Sequence, residues 1–536
     1  MKLEIFFEKF EQFAEAPNAV AKLREMIVQL AVQGKLVPNH TEDQPVSLKM
    51  SKFASKEMPM PLNWWRGILG DAIQLEYGDN LPAPKRTHTG EYPVYGSNGI
   101  VGTHDTYLIK EPAIIVGRKG SAGALNIATG PSWTTDVAYF VRPPSDLNLR
   151  FTYYLLSSLH LDILGKGIKP GLSRKDAYVL PIALPPLPEQ KRIVAKVDEL
   201  MSLCDLLEVQ QQERDTRHAA LARAVLARFA DASTPANLGF LFHPSYNVAP
   251  ADIRKTILAM AVQGKIVPQD PDDEPAKTLV SELAELRNQL LIDGIIKNQK
   301  ISATLSEQEL PFAAPDSWQW IRLGCAVSLL GGYAYPSDSY IPQSSNQIIR
   351  LGNVKNDDFL LNQKPVYIPD LLADKTTSFE ICEDDILVTM TGTKAKRDYA
   401  YTLTVRREHV ETNRLFLNQR VGAIRPFKKE LVPLINLFLK SDQLLDLVFA
   451  TATGTANQAN IGTASILDLP FPLPPLAEQY RIVSKVNQLM ALVDQLETQL
   501  AASRNAAINL MEAVVAELTT CQENAVSRIR AESSFR

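Results

Sequence analysis

Cysteine is scarce in this chain of 536 residues: Cys204, Cys325, Cys382 and Cys521 are the only four, and no two form a C-x-x-C pair. That argues against a disulfide frame or a cysteine zinc site, and the expectation is reduced thiols in a cytoplasmic protein. Long apolar runs are missing too, and none approaches the roughly 20 residues that span a bilayer. The opening stretch "MKLEIFFEKFEQF" mixes acids and bases into its apolar residues, so it lacks the uninterrupted core of a signal peptide. Seven scattered histidines offer no metal-ligand spacing and no H-E-x-x-H. No G-x-x-x-x-G-K-[ST] phosphate loop occurs, and no Asn-Pro-Pro-aromatic or Asp-Pro-Pro-Tyr tetrapeptide of an amino-methyltransferase. "PDDEPAK" at 271–277 is a poor nuclease cluster, because Glu274 and Lys277 stand one residue too far apart. No metal site and no catalytic set is expected.

The net charge of −4 argues mildly against a protein that coats nucleic acid through bulk positive charge. The balance is uneven. Residues 81–180 carry 11 Lys/Arg against 7 Asp/Glu, residues 344–429 carry 14 against 11, and residues 270–310 carry 4 against 9. Local surpluses of that size permit a DNA face without demanding one.

What the chain has in abundance is itself, twice. "LPPLPEQKRIVAKVDELM" from Leu184 returns as "LPPLAEQYRIVSKVNQLM" from Leu473, and Leu184–Glu208 against Leu473–Glu497 gives 17 identities in 25 positions. "LREMIVQLAVQGKLVPN" at 23–39 returns at 253–269 with 9 identities in 17, and "PLNWWRGILG" at 61–70 is echoed by "PDSWQWIRLG" at 315–324. The three offsets are 289, 230 and 254, so 24 residues are added after Pro268 and 35 between Trp318 and Leu473. One plan is used twice, and between its landmarks the copies share little sequence.

Apolar residues follow each LPP segment at heptad spacing: Ile193, Val197, Leu200, Cys204 and Leu207, then Ile482, Val486, Leu489, Val493, Leu496 and Leu500. That spacing suits a helix packed lengthwise on another helix, so Ile193, Val197, Leu200 and Leu207 are expected to pair with Ile482, Val486, Leu489 and Leu496. Two amphipathic helices buried in separate cores is the plainer alternative. Starting near Pro188 and Pro475 and ending near Ala230 and Thr520, each helix would run on the order of 40 residues. The segments at 18–34 and 252–264 also read as helices, closed by Gly34 and Gly264.

The unlike regions hold short β-rich runs such as "PAIIVG", "DVAYFV", "DILVTM" and "QRVGAIRP". Their polar, Gly-bearing loops carry the candidate DNA contacts. In the first region these are Lys85, Arg86, Tyr95, Ser97 and Asn98 of "KRTHTGEYPVYGSNGIVG", Arg118, Lys119 and Ser121 of "GRKGSAG", and Lys169. In the second they are Arg350, Asn353 and Lys355 of "IIRLGNVKND", Lys394, Lys396 and Arg397 of "TGTKAKRDYA", and Asn457 and Gln458 of "TGTANQAN". Lys and Arg suit phosphates, whereas Arg, Asn and Gln can pair bidentately with base edges. Taken singly, each loop also reads as a solvated turn between strands.

The two LPP phrases with their heptad helices, and the twins "AVQGKLVP" and "AVQGKIVP", resemble the conserved regions of type I restriction–modification specificity subunits. "YPVYGSNGIVG" with "GRKGSAG", and "IIRLGNVKN" with "DILVTMTGT", resemble two varieties of that family's target recognition domain. The resemblance covers essentially the whole chain. It implies an α/β (mixed α+β) protein with two globular DNA target recognition domains joined by two long antiparallel conserved helices, an internal duplication with pseudo-twofold symmetry. Its parts would be an N-terminal helical arm (1–60), recognition domain 1 (61–183), a central conserved region with a spacer helix (184–269), an acidic linker (270–310), recognition domain 2 (311–472), and a C-terminal conserved region with the second spacer helix (473–536). It implies a non-catalytic subunit that reads a bipartite, asymmetric double-stranded DNA target. Its partners would be two methyltransferase (M) subunits and restriction/translocase (R) subunits, with no membrane. AdoMet, ATP and Mg would belong to those partners, and this chain would bind no cofactor. The competing readings are a single-chain methyltransferase or nuclease with an unrecognised motif, and a protein–protein adaptor.

Overall fold

The computed structural model describes residues 16, 18–49, 60–167, 170–231, 234, 237, 241–242, 248–302, 305–455 and 458–519. Lys169, Asn457 and Cys521 lie outside the described residues. The chain forms two compact units, Met1–Arg214 with Ala501–Arg536, and Asp215–Leu500. Both mix helix and strand. No described helix is long and apolar enough to cross a membrane.

In the first unit the arm helix Ala19–Val32 ends as its sequence predicts. Gly34 stands at φ 68°, its N–H donates to the Ala31 carbonyl (3.3 Å), and the Lys35 N–H reaches back to Leu30 (3.0 Å). This pair of bonds is a Schellman closure, which needs the left-handed residue that Gly supplies most cheaply. Strand β1 (Trp65–Ile68) pairs antiparallel with β9 (Pro181–Leu184), so the two ends of the variable region are tied together. Between them lie β2 (Glu76–Tyr77), β3 (Tyr92–Gly96), β4 (Gly99–His104), β5 (Ala113–Gly117), β6 (Leu125–Ala128), β7 (Trp133–Thr134) and β8 (Ala138–Val141). They form a four-stranded sheet in the order β2-β8-β5-β6 and a three-stranded sheet in the order β4-β3-β7. Every residue of β5, "AIIVG", is buried, as a central strand without polar alternation should be.

The second unit repeats the closure. β10 (Gln319–Arg322) pairs antiparallel with β22 (Pro470–Leu473) in the register of the first copy: Gln319 faces Leu473 as Trp65 faces Leu184. The contents differ. Its main sheet runs β11 (Val327–Gly331), β19 (Val421–Pro426), β15 (Ile386–Thr389), β17 (Thr402–Thr404). Smaller sheets are made by β12 (Asn346–Ile349) with β18 (Arg414–Leu417), by β13 (Val354–Lys355) with β14 (Asp358–Phe359), and by β16 (Thr391–Gly392), β21 (Gln458–Asn460) and β20 (Thr453–Thr455). The acidic segment expected as a linker (270–310) contains a helix, Ala276–Ile292. Its Ala276, Leu279 and Leu283 recur at helical spacing and are buried.

The two long helices are Leu187–Asp231, 45 residues, and Leu476–Thr519, 44 residues. Their heptad residues do not make one seam. Ile193, Val197 and Cys204, with Leu200 and Leu207 at the margin, belong to the first unit's core, where the second helix contributes Ala507, Leu510 and Met511. Ile482, Val486 and Leu489, with Leu496 at the margin, belong to the second unit's core, where the first helix contributes Ala222, Val225, Leu226 and Phe229. The start of each helix therefore shares a core with the end of the other. The expected facing of Ile193–Leu207 on Ile482–Leu496 is corrected accordingly. The heptad stripe at each helix start is also the face that buries against its own variable domain, which takes those positions away from a helix-only seam.

Candidate nucleic-acid interface

The repeated phrases build one lock in each copy. In the first, the buried Glu189 carboxylate accepts from Trp64 Nε1 at 3.1 Å and from Asn39 Nδ2 at 2.9 Å. In the second, Glu478 accepts from Trp318 Nε1 at 2.9 Å and from Gln269 Nε2 at 2.6 Å. Gln190 and Gln479 each donate 2.9 Å bonds to the carbonyls of Pro185 and Pro474. Arg192 pairs with Asp43, and Arg481 with Asp273. Arg24 meets Asp205 and Glu208, as Arg254 meets Asp494 and Glu497. The Glu, Gln, Trp and Arg repeated in both copies are thus structural. They fasten arm, domain entrance and long helix together, and three different sequence offsets return to one geometry.

The variable domains put polar loops on this base. In the first, a Cβ at Gly117 would come within 2.4 Å of the Ser97 carbonyl oxygen, so the Ser97–Asn98 turn lies against the Arg118–Ser121 loop. The Leu172 N–H donates to Arg118 (2.8 Å) and the Gly120 N–H to Pro170 (2.9 Å), which brings Pro170 and Leu172 to the same place. Arg118 lies over the exposed Tyr77 ring at 4.7 Å and donates to the Asp136 carbonyl at 2.9 Å. Arg174 covers the same ring at 4.2 Å. One phenol is therefore flanked by two guanidiniums, a cationic patch formed by residues 97 positions apart in sequence. Lys119, with 54% of its side chain exposed, stands 4.0 Å from Asp136. Lys85 and Asn98 are exposed, and Ser121 is half-buried. Arg86 is half-buried and donates to the Leu81 carbonyl at 2.9 Å.

Two expected readers are placed inside their domains. Tyr95 packs with Ile109, Ile115 and Phe140, and burial pushes its phenol up. It follows Val94 on β3, where the strand is covered on both sides. Asn353 is buried and spends both amide protons on the carbonyls of Leu360 (2.9 Å) and Gln363 (3.2 Å). Its oxygen accepts from the Arg350 N–H at 3.0 Å, so it shapes the turn.

In the second domain a cavity of about 420 Å³ gathers Lys355, Thr391, Asp398, Tyr401, Arg420 and Gln458. Lys355 rests over the Tyr401 ring at 5.0 Å. The Asp398 carboxylate accepts from the Thr393 N–H at 2.5 Å, and that bond holds it below the usual carboxylate range. Lys394 and Lys396 are exposed on the adjoining loop. Arg397 is tied to Asp446 at 2.6 Å and lies over the Phe449 ring, and Arg350 donates to the Lys364 carbonyl at 2.6 Å. Sequence reasoning missed Tyr77, Arg174, Tyr401 and Arg420. Only Arg420 had a local signal: it ends a polar triplet, Asn418–Arg420, between two apolar runs. Among the described residues no group of three His, Cys, Asp or Glu is placed to hold a metal ion.

Residues 61–214 and 315–503 match the family model described as the type I restriction modification DNA specificity domain. The specificity subunit of the type I restriction enzyme EcoAI from Escherichia coli is 26% identical over 569 residues, covering 92% of this chain and 93% of that protein. The EcoEI specificity subunit from Escherichia coli is 26% identical over 565 residues, with 92% and 93% covered. Among solved structures, the HsdS subunit from Thermoanaerobacter tengcongensis aligns at a TM-score of 0.42 and 15% identity, covering 87% of this chain and 99% of that one. A chain from work on complex assembly and conformational transition of the type I R-M system aligns at 0.46 and 16% identity, covering 86% of this chain and 98% of that one. With the family model matched twice across more than half of its length, the chain belongs to the type I restriction–modification DNA specificity family.

Proposed function

We propose that this chain is the sequence-specificity subunit of a type I restriction–modification enzyme, a DNA reader and scaffold with no chemistry of its own. The domains at 61–183 and 311–472 each read one half of a split, asymmetric duplex target. The long helices set the unread spacer and dock two methyltransferase subunits, and restriction/translocase subunits complete the assembly. AdoMet, ATP and Mg serve those partners, which also flip the base to be methylated.

The observation that carries this reading is the lock built twice around unlike contents. Two equivalent partners need two equivalent berths, whereas two different half-sites need two different reading surfaces. Exposed Lys85, Asn98, Lys119, Lys355, Lys394, Lys396 and Gln458 supply phosphate and base-edge contacts. The relatives' designation as specificity subunits of type I enzymes supports the same role.

The test uses the complex with its methyltransferase. Methylated bases are mapped in the host genome to obtain the target, and binding is then measured on that target and on one whose spacer is changed by one base pair. A bipartite motif and a large loss of affinity on the altered spacer are expected. Equal affinity for both duplexes would count against a rigid spacer.

A further inference from the structure

The second recognition domain holds eight arginines, and their partners set one apart. Arg322 pairs with Glu309, Arg397 with Asp446, Arg414 with Glu380 and Arg425 with Asp385, while Arg406 and Arg407 meet Glu408 and Glu411. Arg350 donates to the Lys364 carbonyl. Arg420 is exposed, and among the described residues its side chain makes no hydrogen bond, ion pair or ring contact.

Its anchor, by contrast, is fixed. The Asn418 N–H donates to Ile349 (3.0 Å), the Gln419 N–H to Tyr333 (2.9 Å) and the Val421 N–H to Asn418 (2.9 Å), and the Arg420 carbonyl accepts from Met390 (2.9 Å). The triplet joins β18 to β19, strands buried along most of their length. A free fork of five N–H donors on an immobile backbone is pre-organised for a planar, bidentate acceptor.

Arg420 opens on the cavity that also holds Asp398 and Gln458. The Lys355 ammonium would draw a phosphate into the same cavity, but there it would also meet the Asp398 carboxylate and be repelled. A guanine–cytosine pair would not, because its major-groove edge offers two acceptors, guanine O6 and N7, beside one donor, cytosine N4–H. We propose that Arg420 is a specificity-determining residue of the second recognition domain, reading a guanine edge through its guanidinium. The assignment rests on the DNA-reading function above and names one base of one half-site.

The experiment maps genome methylation by the assembled complex carrying the wild-type chain, Arg420→Ala or Arg420→Lys. Both variants are expected to relax one guanine position in one half-site, with discrimination there falling on the order of 10- to 100-fold. The lysine fails because a single ammonium cannot reproduce the planar fork. The other half-site keeps its sequence, which shows that the variant complex is folded and assembled. An unchanged motif overturns the assignment, as does methylation lowered evenly at all sites and restored by lysine, the behaviour of a phosphate contact. A wild-type complex without any bipartite motif would overturn the proposed function itself, and this assignment with it.

Discussion

Two buried carboxyls, Glu189 and Glu478, show how residue chemistry is set by position. Burial pushes both up, against the pull of the Trp and amide donors that bind them. The folded state therefore holds its proton more tightly than the unfolded chain, so their contribution to stability fades as pH rises through the raised value. Glu309 has the opposite sign. Bonds from the Ser306 backbone and hydroxyl and from Arg322 bring its pKa down to about 2 from an ordinary 4.5. Its contribution is complete above 4.5 and is lost as pH falls toward 2. Glu309→Gln should therefore flatten that part of the acid limb, read as urea midpoints at a series of pH values against wild type. Identical limbs would remove Glu309 from the account. Only Ser306, three positions from Glu309, is a local partner; Glu309 and Arg322 are 13 positions apart, and Glu189 and Trp64 are 125 apart.

At the scale of elements, the ends of helices were readable and the order of strands was not. "AVQGK" announces a helix stop because Gly alone enters the left-handed region without a Cβ penalty, and both copies obey. The copies differ in tightness, however. A Cβ at Gly264 would stand 2.5 Å from the Pro315 ring, whereas one at Gly34 would stand 3.0 Å from the Trp64 indole. Gly264→Ala should cost about 1–3 kcal/mol from backbone strain and overpacking together, and Gly34→Ala less. Denaturant unfolding of the two full-length variants checks the order, and equal losses would contradict it. The heptads likewise foretold two long helices, while their partners came out differently, because a stripe of Ile and Val serves a domain core and a helix seam alike. Strands such as Glu76–Tyr77 and Thr391–Gly392 are two residues long, too short to carry a period.

Across the whole molecule, three offsets of 230, 254 and 289 collapse onto one repeated lock, and the variable insertions between them leave its geometry intact. If the long helices set the unread spacer, length should translate into base pairs. Seven residues inserted after Arg214 and again after Leu500 keep the heptad phase and add roughly 10 Å, about three base pairs at 3.4 Å each. The methylation motif of that complex should show a spacer lengthened by about three, and an unchanged spacer would separate the helices from that role.

The amino-acid sequence by itself determined the duplication, the presence of two long helices, the family and the division into shared and variable parts. Those features are written in local order, in repeated phrases and in spacings of three and four. Tertiary structure alone decided that Glu189 and Glu478 are fasteners, that Tyr95 and Asn353 belong inside, and that Tyr77 lies between two arginines. It also decided which of the eight arginines at 311–472 is left, among the described residues, without a side-chain partner. A side chain's availability depends on the neighbours that folding brings to it from distant parts of the chain, and no spacing along the sequence records them.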